Sequence, residues 1–265
     1  MQEAANELGV HYMTVYRYVR LGMLPARKVG ASWRIDVADL ARLDTSPDVP
    51  PRKRSAPWNA RLQARMLAGD EAGSWRVVEA AFASGMTPAD FYCEVLTPAL
   101  YNIGELWQNG KLGVEDEHLA TAVAAGVIGR LGPRFARRGR TKGTVVLAMP
   151  EGERHHLGLA MLADILRSDG YRVLNLGADT PASALVAALR QVEDLSAVAI
   201  GVVNADRLAA ATSLIKAVRR SFGRVPVVVG GAAVPDEETA LRLGADAGAT
   251  DARAVGSLIS AMAAY

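Results

Sequence analysis

The second half of the chain changes its hydrophobic period every few residues. Runs that are apolar throughout, TVVLAM, YRVLNL, AVAIGVV and PVVVGG, alternate with stretches whose apolar positions recur every three or four residues. A strand covered on both faces shows no polar alternation, whereas a helix lying on a sheet is apolar on one side only. Over 141–265, with a further short strand near 246–250 and a closing helix, the pattern predicts a doubly wound, five-stranded parallel α/β sheet. Such sheets bind ligands beyond the carboxyl ends of their strands. The loops at 150–158, 177–181, 203–207 and 230–235 are therefore the candidate binding loops.

Residues 57–140 keep a helical period throughout. Helices over 58–68, 73–84, 87–108 and 115–130, joined by short connections, predict an antiparallel four-helix bundle. Thr87-Pro88-Ala89-Asp90 starts the third helix with a capping hydroxyl, a first-turn proline and an acid. Asn109-Gly110 ends it. Residues 1–44 read as a helix at 2–8, a turn at Gly9-Val10 and a second helix at 11–20. A break at Gly22 and Pro25 follows, then two short basic strands in ARKVGASWRI and a last helix, VADLARL. Helix, turn, helix and hairpin make a winged helix-turn-helix, so the chain is expected to be multidomain. Between it and the bundle, residues 45–56 (TSPDVPPRKRSA) have three prolines and no hydrophobic period, as a linker does.

Composition adds boundaries to this picture. The 265 residues suffice for three small domains. No apolar run approaches the roughly 20 residues of a membrane span, and MQEAANELGV lacks the basic start and apolar core of a signal peptide. A single cysteine, Cys93, allows no internal disulfide and fits a cytoplasmic location. Within FYCEVL it reads as a small core residue. The net charge of +2 is unevenly spread: residues 1–57 carry nine Lys/Arg against six Asp/Glu, and 130–142 carry six basic residues and no acid. Basic clusters attract phosphate backbones, although the second one also reads as a linker or a solvated face.

Three of the four histidines lie in suggestive places. The loop PEGERHHLG offers Glu153, His155 and Gly158 at the spacing acid-x-His-x-x-Gly. An imidazole that ligates a metal needs an acceptor on its other nitrogen to fix tautomer and orientation, and an acid two residues earlier can supply it. Gly158 removes a side chain where a large flat cofactor would press on the backbone. This pattern resembles the cobalamin-binding domain of methionine synthase and corrinoid proteins. The resemblance implies that His155 is the lower ligand of cobalt and that Gly230-Gly231 line the slot taking the cofactor's nucleotide tail. Asn204, in GVVNAD, stands where that family has Ser or Thr. A helical bundle directly before the sheet domain is also the family's arrangement and caps the upper corrin face.

The bundle carries WQNGKLGVEDEH: Trp107, nine residues, then Glu117-His118. This is similar to the Trp-x9-Glu-His signature of the CarH-type photoreceptors, adenosylcobalamin-dependent repressors of light-induced genes. The resemblance implies that Trp107 packs on the upper axial group and that Glu117 and His118 contact the adenosyl moiety. Some of these photoreceptors have His immediately after the Trp; this chain has Gln108, a poor cobalt ligand beside imidazole. The N-terminal segment resembles the excisionase/MerR type of winged helix through EAANELGV, TVYRYVRLGMLPA and WRI. That likeness puts His11, Thr14, Arg17 and Tyr18 toward the major groove, and Lys28, Ser32, Trp33 and Arg34 in the wing.

Together these resemblances imply a non-enzymatic transcriptional repressor. With adenosylcobalamin bound it would assemble as a homo-oligomer, a tetramer or dimer of dimers, on a double-stranded DNA operator, and light would release it. Two alternatives stay open: a cobalamin-supply sensor without photochemistry, and a corrinoid methyl carrier. A receiver-like module would need an acidic cluster that the sheet domain lacks.

Overall fold

The computed structural model describes residues 4, 7, 15, 19, 24–29, 32–42 and 57–263. It divides into two compact units, Met1–Ala56 and Pro57–Tyr265. Apart from those four single positions, the helices expected over 2–8 and 11–20 lie outside the described residues. The linker at 45–56 and the groove candidates His11, Thr14, Arg17 and Tyr18 lie outside them too.

In the first unit, β1 (Arg27–Val29) and β2 (Ser32–Arg34) pair antiparallel with Lys28 opposite Trp33. Helix α1 (Val37–Arg42) follows, its first turn closed by Asp36, whose carboxylate accepts from the Ala38 amide at 3.0 Å. Ala4, Val15, Leu24, Val19, Ile35 and Leu40 form a small core. Trp33 and Arg34 of the wing are exposed.

The second unit opens with the bundle: α2 (Trp58–Leu67), α3 (Glu71–Ala83), α4 (Pro88–Phe91), α5 (Thr97–Gln108) and α6 (Val114–Leu131). The Thr87 cap forms as its sequence demands, with Thr87 Oγ1 accepting from the Asp90 amide at 3.1 Å. The third helix is not one regular run, however. A π-helical turn over Tyr92–Leu96 joins α4 to α5. Pro98 explains it: proline has no N–H for the carbonyl of Glu94, and its ring crowds that carbonyl, so the turn widens.

The sheet domain follows as β3 (Thr144–Ala148), α7 (Leu157–Ser168), β4 (Arg172–Asn175), α8 (Ala182–Leu189) and β5 (Leu195–Gly201). Helix α9 (Leu208–Phe222), β6 (Val227–Gly230), α10 (Glu237–Leu243), β7 (Ala247–Ala249) and α11 (Val255–Met262) complete it. All five strands are parallel, in the order β4-β3-β5-β6-β7. Val146 and Ala148 of β3 face a core shared with α8, α9 and α10, whereas Val145 and Leu147 face α7 and α11. The sheet is therefore doubly wound, and its topological switch point lies at β3, between β4 and β5. One strand departs from the expectation of buried runs. β4 is an edge strand whose Arg172, Leu174 and Asn175 are exposed.

Helix α7 is apolar on two sides, and this joins the bundle to the sheet. Leu159, Ala163 and Leu166, spaced four and three residues apart, pack on the sheet. Met161 and Ile165 belong to the bundle core, with Leu157 and Ala160 packed against it. A buried polar link crosses the same joint: the Tyr92 hydroxyl donates to Asp164 Oδ2 at 2.9 Å, and Arg167 donates to Asp164 Oδ1 at 2.7 Å.

Candidate functional site

The loop after β3 leaves the sheet at its switch point and is tied down by its neighbours. Pro150 bridges to Thr180, the Met149 amide donates to the carbonyl of Gly177, and the Thr180 amide donates to the carbonyl of Met149. Asp179 completes the tie. It takes a positive φ of 50°, its Oδ1 accepts from the Gly152 amide at 2.6 Å, and its own amide donates to the carbonyl of Glu153 at 2.9 Å. Sequence reasoning missed this residue. Its signal was the turn Gly177-Ala-Asp-Thr180, since Asp is among the few side chains that tolerate left-handed backbone.

Glu153 is wholly buried, yet all its acceptor capacity is used. Oε2 accepts from the backbone amides of Val203 and Asn204 at 2.9 and 2.8 Å; Oε1 accepts from the Arg154 amide at 3.0 Å and faces His155 Nδ1 at 2.5 Å. Burial pushes the carboxyl up, but the Asn204 amide, the His155 ring and the Val203 amide outweigh it and hold Glu153 below its usual range. The group is thus an ionised acceptor inside the protein. It keeps the His155 proton on Nδ1 and leaves Nε2 as the nitrogen able to ligate a metal. The imidazole itself is half-exposed, with 52% of its side-chain surface open.

The surroundings suit a broad cofactor that brings its own metal. Among the described residues no three His, Cys, Asp or Glu side chains converge to cage an ion. A corrin ring, which brings its own equatorial nitrogens to cobalt, needs only one such protein ligand. At Gly158 an added Cβ would meet nothing within 4 Å, so the space over the start of α7 is open. Arg207 lies against Gly152, its Nη1 2.7 Å from where a Cβ would stand. Its buried Nε has no hydrogen-bond partner among the described residues. An orphaned donor beside the loop is what a missing polar ligand would leave. The residues present thus fit such a group.

The other sequence candidates fall into two sets. Asn204 meets the site through its backbone amide on Glu153. Gly230 and Gly231 end β6 with a structural reason of their own. A Cβ on Gly230 would stand 2.6 Å from the carbonyl oxygen of Ala249, and Gly231, at φ 115°, would collide with that of Val202. On the bundle, Trp107 ends α5 with 44% of its surface exposed, and Glu117 and His118 lie in the first turns of α6. Glu117 accepts from Thr121 Oγ1 at 2.6 Å, and its other oxygen stands 3.7 Å from His118 Nε2. Val114 and Leu119 beside them are also exposed.

Comparison with known proteins bears on the cofactor and the domains. Residues 58–131 and 143–255 each match a family described as B12 binding domain, and residues 1–43 match a helix-turn-helix domain. The chain is 33% identical over 198 residues to the HTH-type transcriptional repressor CarA of Myxococcus xanthus. That alignment covers 69% of this chain and 61% of CarA. It is 35% identical over 149 residues to the repressor CarH of the same organism, covering 56% of this chain and 48% of CarH. The chain thus spans about half to three-fifths of these relatives. The fold matches the Methanosarcina barkeri monomethylamine corrinoid protein with a TM-score of 0.67 at 17% identity, over 79% of this chain and 98% of that one. The cofactor is a cobalamin, and the chain belongs among the proteins built on B12 binding domains, with CarA and CarH as similar repressors.

Proposed function

We propose that the chain is a cobalamin-dependent transcriptional repressor, a switch rather than a methyl-transfer enzyme, that holds adenosylcobalamin through His155. The observation that carries this is the buried Glu153 carboxylate, fixed by the Val203 and Asn204 amides and aimed at His155 Nδ1. Glu153 keeps Nε2 free of a proton and pointed for cobalt. Gly158 leaves room for the ring, and Asn204, Gly230 and Gly231 line the slot for the nucleotide tail. Adenosylcobalamin, when bound there, would supply a light-sensitive cobalt–carbon bond. Trp107 would exclude water from the bound cofactor, while Glu117 would accept from ribose hydroxyls of the adenosyl group and His118 would flank it.

Lys28, Ser32 and Arg34 of the wing, with His11, Thr14, Arg17 and Tyr18, contact double-stranded DNA. One helix-turn-helix makes few base contacts, so tight operator binding follows from a tetramer or dimer of dimers presenting several readers. To act as a clean switch, the dark state must be favoured by about 5.5 kcal/mol of differential binding. The test is size-exclusion chromatography and operator binding of the loaded chain, in darkness and after green light. Loss of both the oligomer and DNA binding on illumination is expected; identical elution and affinity would end the light-dependent account. Gln108 favours a second reading, a sensor of cobalamin supply. It predicts that loading, but not light, changes DNA affinity.

A further inference from the structure

Resting on the DNA-binding reading, we propose that the groove between α2 and α3 is a second phosphate-binding surface, which takes the DNA backbone. The groove has a volume of about 420 Å³ and is floored by small residues, Ala64, Ala68 and Gly73, between three arginines, Arg61, Arg65 and Arg76. Its counter-charge is a single carboxylate among the described residues. Asp70 caps α3 by accepting from the Gly73 amide at 2.7 Å, accepts from Arg65 Nη1 at 2.9 Å and lies 4.0 Å from Arg76. The Arg61 guanidinium is 4.9 Å from the Trp58 ring. Each guanidinium has five donors, so one carboxylate leaves most of them, and two positive charges, facing outward.

A merely solvated helix face mixes signs. Helix α2, WNARLQARML, has no acid at all, and it sets Arg61 and Arg65 one turn apart, where like charges repel. The single Asp70 pairing offsets only part of that repulsion, and such a cluster is a candidate functional surface. Arginine forks match phosphate oxygens two at a time. About 6 Å of helix axis separates Arg61 from Arg65, so α2 presents two arginines one turn apart on the groove that Arg76 lines from α3.

The test uses the full chain loaded with cobalamin in darkness and a duplex of unrelated sequence, titrated between about 50 and 200 mM salt. In Arg61→Gln/Arg65→Gln/Arg76→Gln, with an unchanged cofactor spectrum, the slope of log affinity against log salt becomes shallower by about 0.9 for each phosphate no longer neutralised. Affinity then falls alike on operator and unrelated DNA. Should the triple variant unfold, Arg76→Gln alone, at a side chain 70% exposed, carries the test with a slope change of about 0.9. An unchanged slope with DNA binding intact overturns the proposal and leaves the repressor reading standing. Pyrophosphate, titrated against the unfolding temperature, separates the sources. If the variant loses a pyrophosphate response but keeps the wild-type slope, the groove takes a free anion and the backbone assignment is wrong. Failure of the wild-type chain to bind any DNA overturns both readings together.

Discussion

Replacing Tyr92 by phenylalanine removes one oxygen atom from the joint between bundle and sheet. Tyr92 is wholly buried, and its ring stacks on Phe135 at 5.0 Å between centroids, an arrangement the substitution keeps. Burial, then the charge of Asp164 and the bond to it, push the phenol far above its usual range, so the hydroxyl always donates. Without it, Asp164, a residue only 4% exposed, keeps Oδ2 with its Tyr92 donor gone. A hydrogen bond to a charged acceptor contributes about 1.5–3 kcal/mol. The expected loss is about 2 kcal/mol, roughly 30-fold in the unfolding equilibrium. For a unit of about 200 residues that lowers Tm by about 4–8 °C. The assay is a urea and thermal double-mutant cycle on Tyr92→Phe, Asp164→Leu and the pair. Removing both partners should destabilise by less than the sum, with a coupling of at least about 1 kcal/mol. A single-variant loss below about 0.5 kcal/mol, or additive losses, would refute the view that this bond joins the two layers.

Gly158→Ala and Gly231→Ala should part company. At Gly158 the methyl enters open space on a helix, so the apo chain gains up to about 1 kcal/mol while cobalamin retention, read by absorbance after desalting, falls. At Gly231 the methyl meets the Val202 carbonyl, and the chain should fail to fold. Glu153→Gln should weaken cobalamin retention by about 10–100-fold, the range seen for partners of metal ligands. The depressed carboxyl also sets an acid limit. Its stabilisation is full above the ordinary glutamate value of about 4.3 and is lost as pH falls through its lower folded value, so wild-type but not Glu153→Gln stability should decline there. Burial, then the nearby Asp251 charge, push the Cys93 thiol up to about 11. Its reaction with a thiol reagent should therefore be slow at pH 8 and keep rising toward pH 11; a plateau near pH 9 would contradict this.

Local chemistry was legible in the sequence wherever the partners lie close together. The Thr87 cap and the Glu153–His155 pair are two or three residues apart, and both form. The alternation of period announced the strands, but β4 reads as buried because an apolar run does not tell an edge from a centre. Gly230-Gly231 read as a cofactor slot, and the structure adds a strand-packing reason that no single run of sequence could reveal. The basic stretch 130–142 read as linker or solvated face. In the fold, Arg130 lies 3.8 Å from the centre of the Trp75 ring, and Arg134 and Lys142 lie over Phe82 and Tyr171. Tyr92 and Asp164 are 72 residues apart, and nothing local says that a polar residue on the apolar helix LGLAMLADILRS will meet a tyrosine. The π-helical turn was missed because helical period was weighed above Pro98.

The proposal that His155 ligates cobalt is tested most directly by electron paramagnetic resonance of the chain loaded with cob(II)alamin, with its histidines labelled by nitrogen-15. If His155 is the lower ligand, the nitrogen splitting changes from a triplet to a doublet on labelling, and His155→Ala abolishes the doublet. If the triplet persists in the labelled chain with cofactor bound, the cofactor has kept its own base and the assignment of His155 is contradicted.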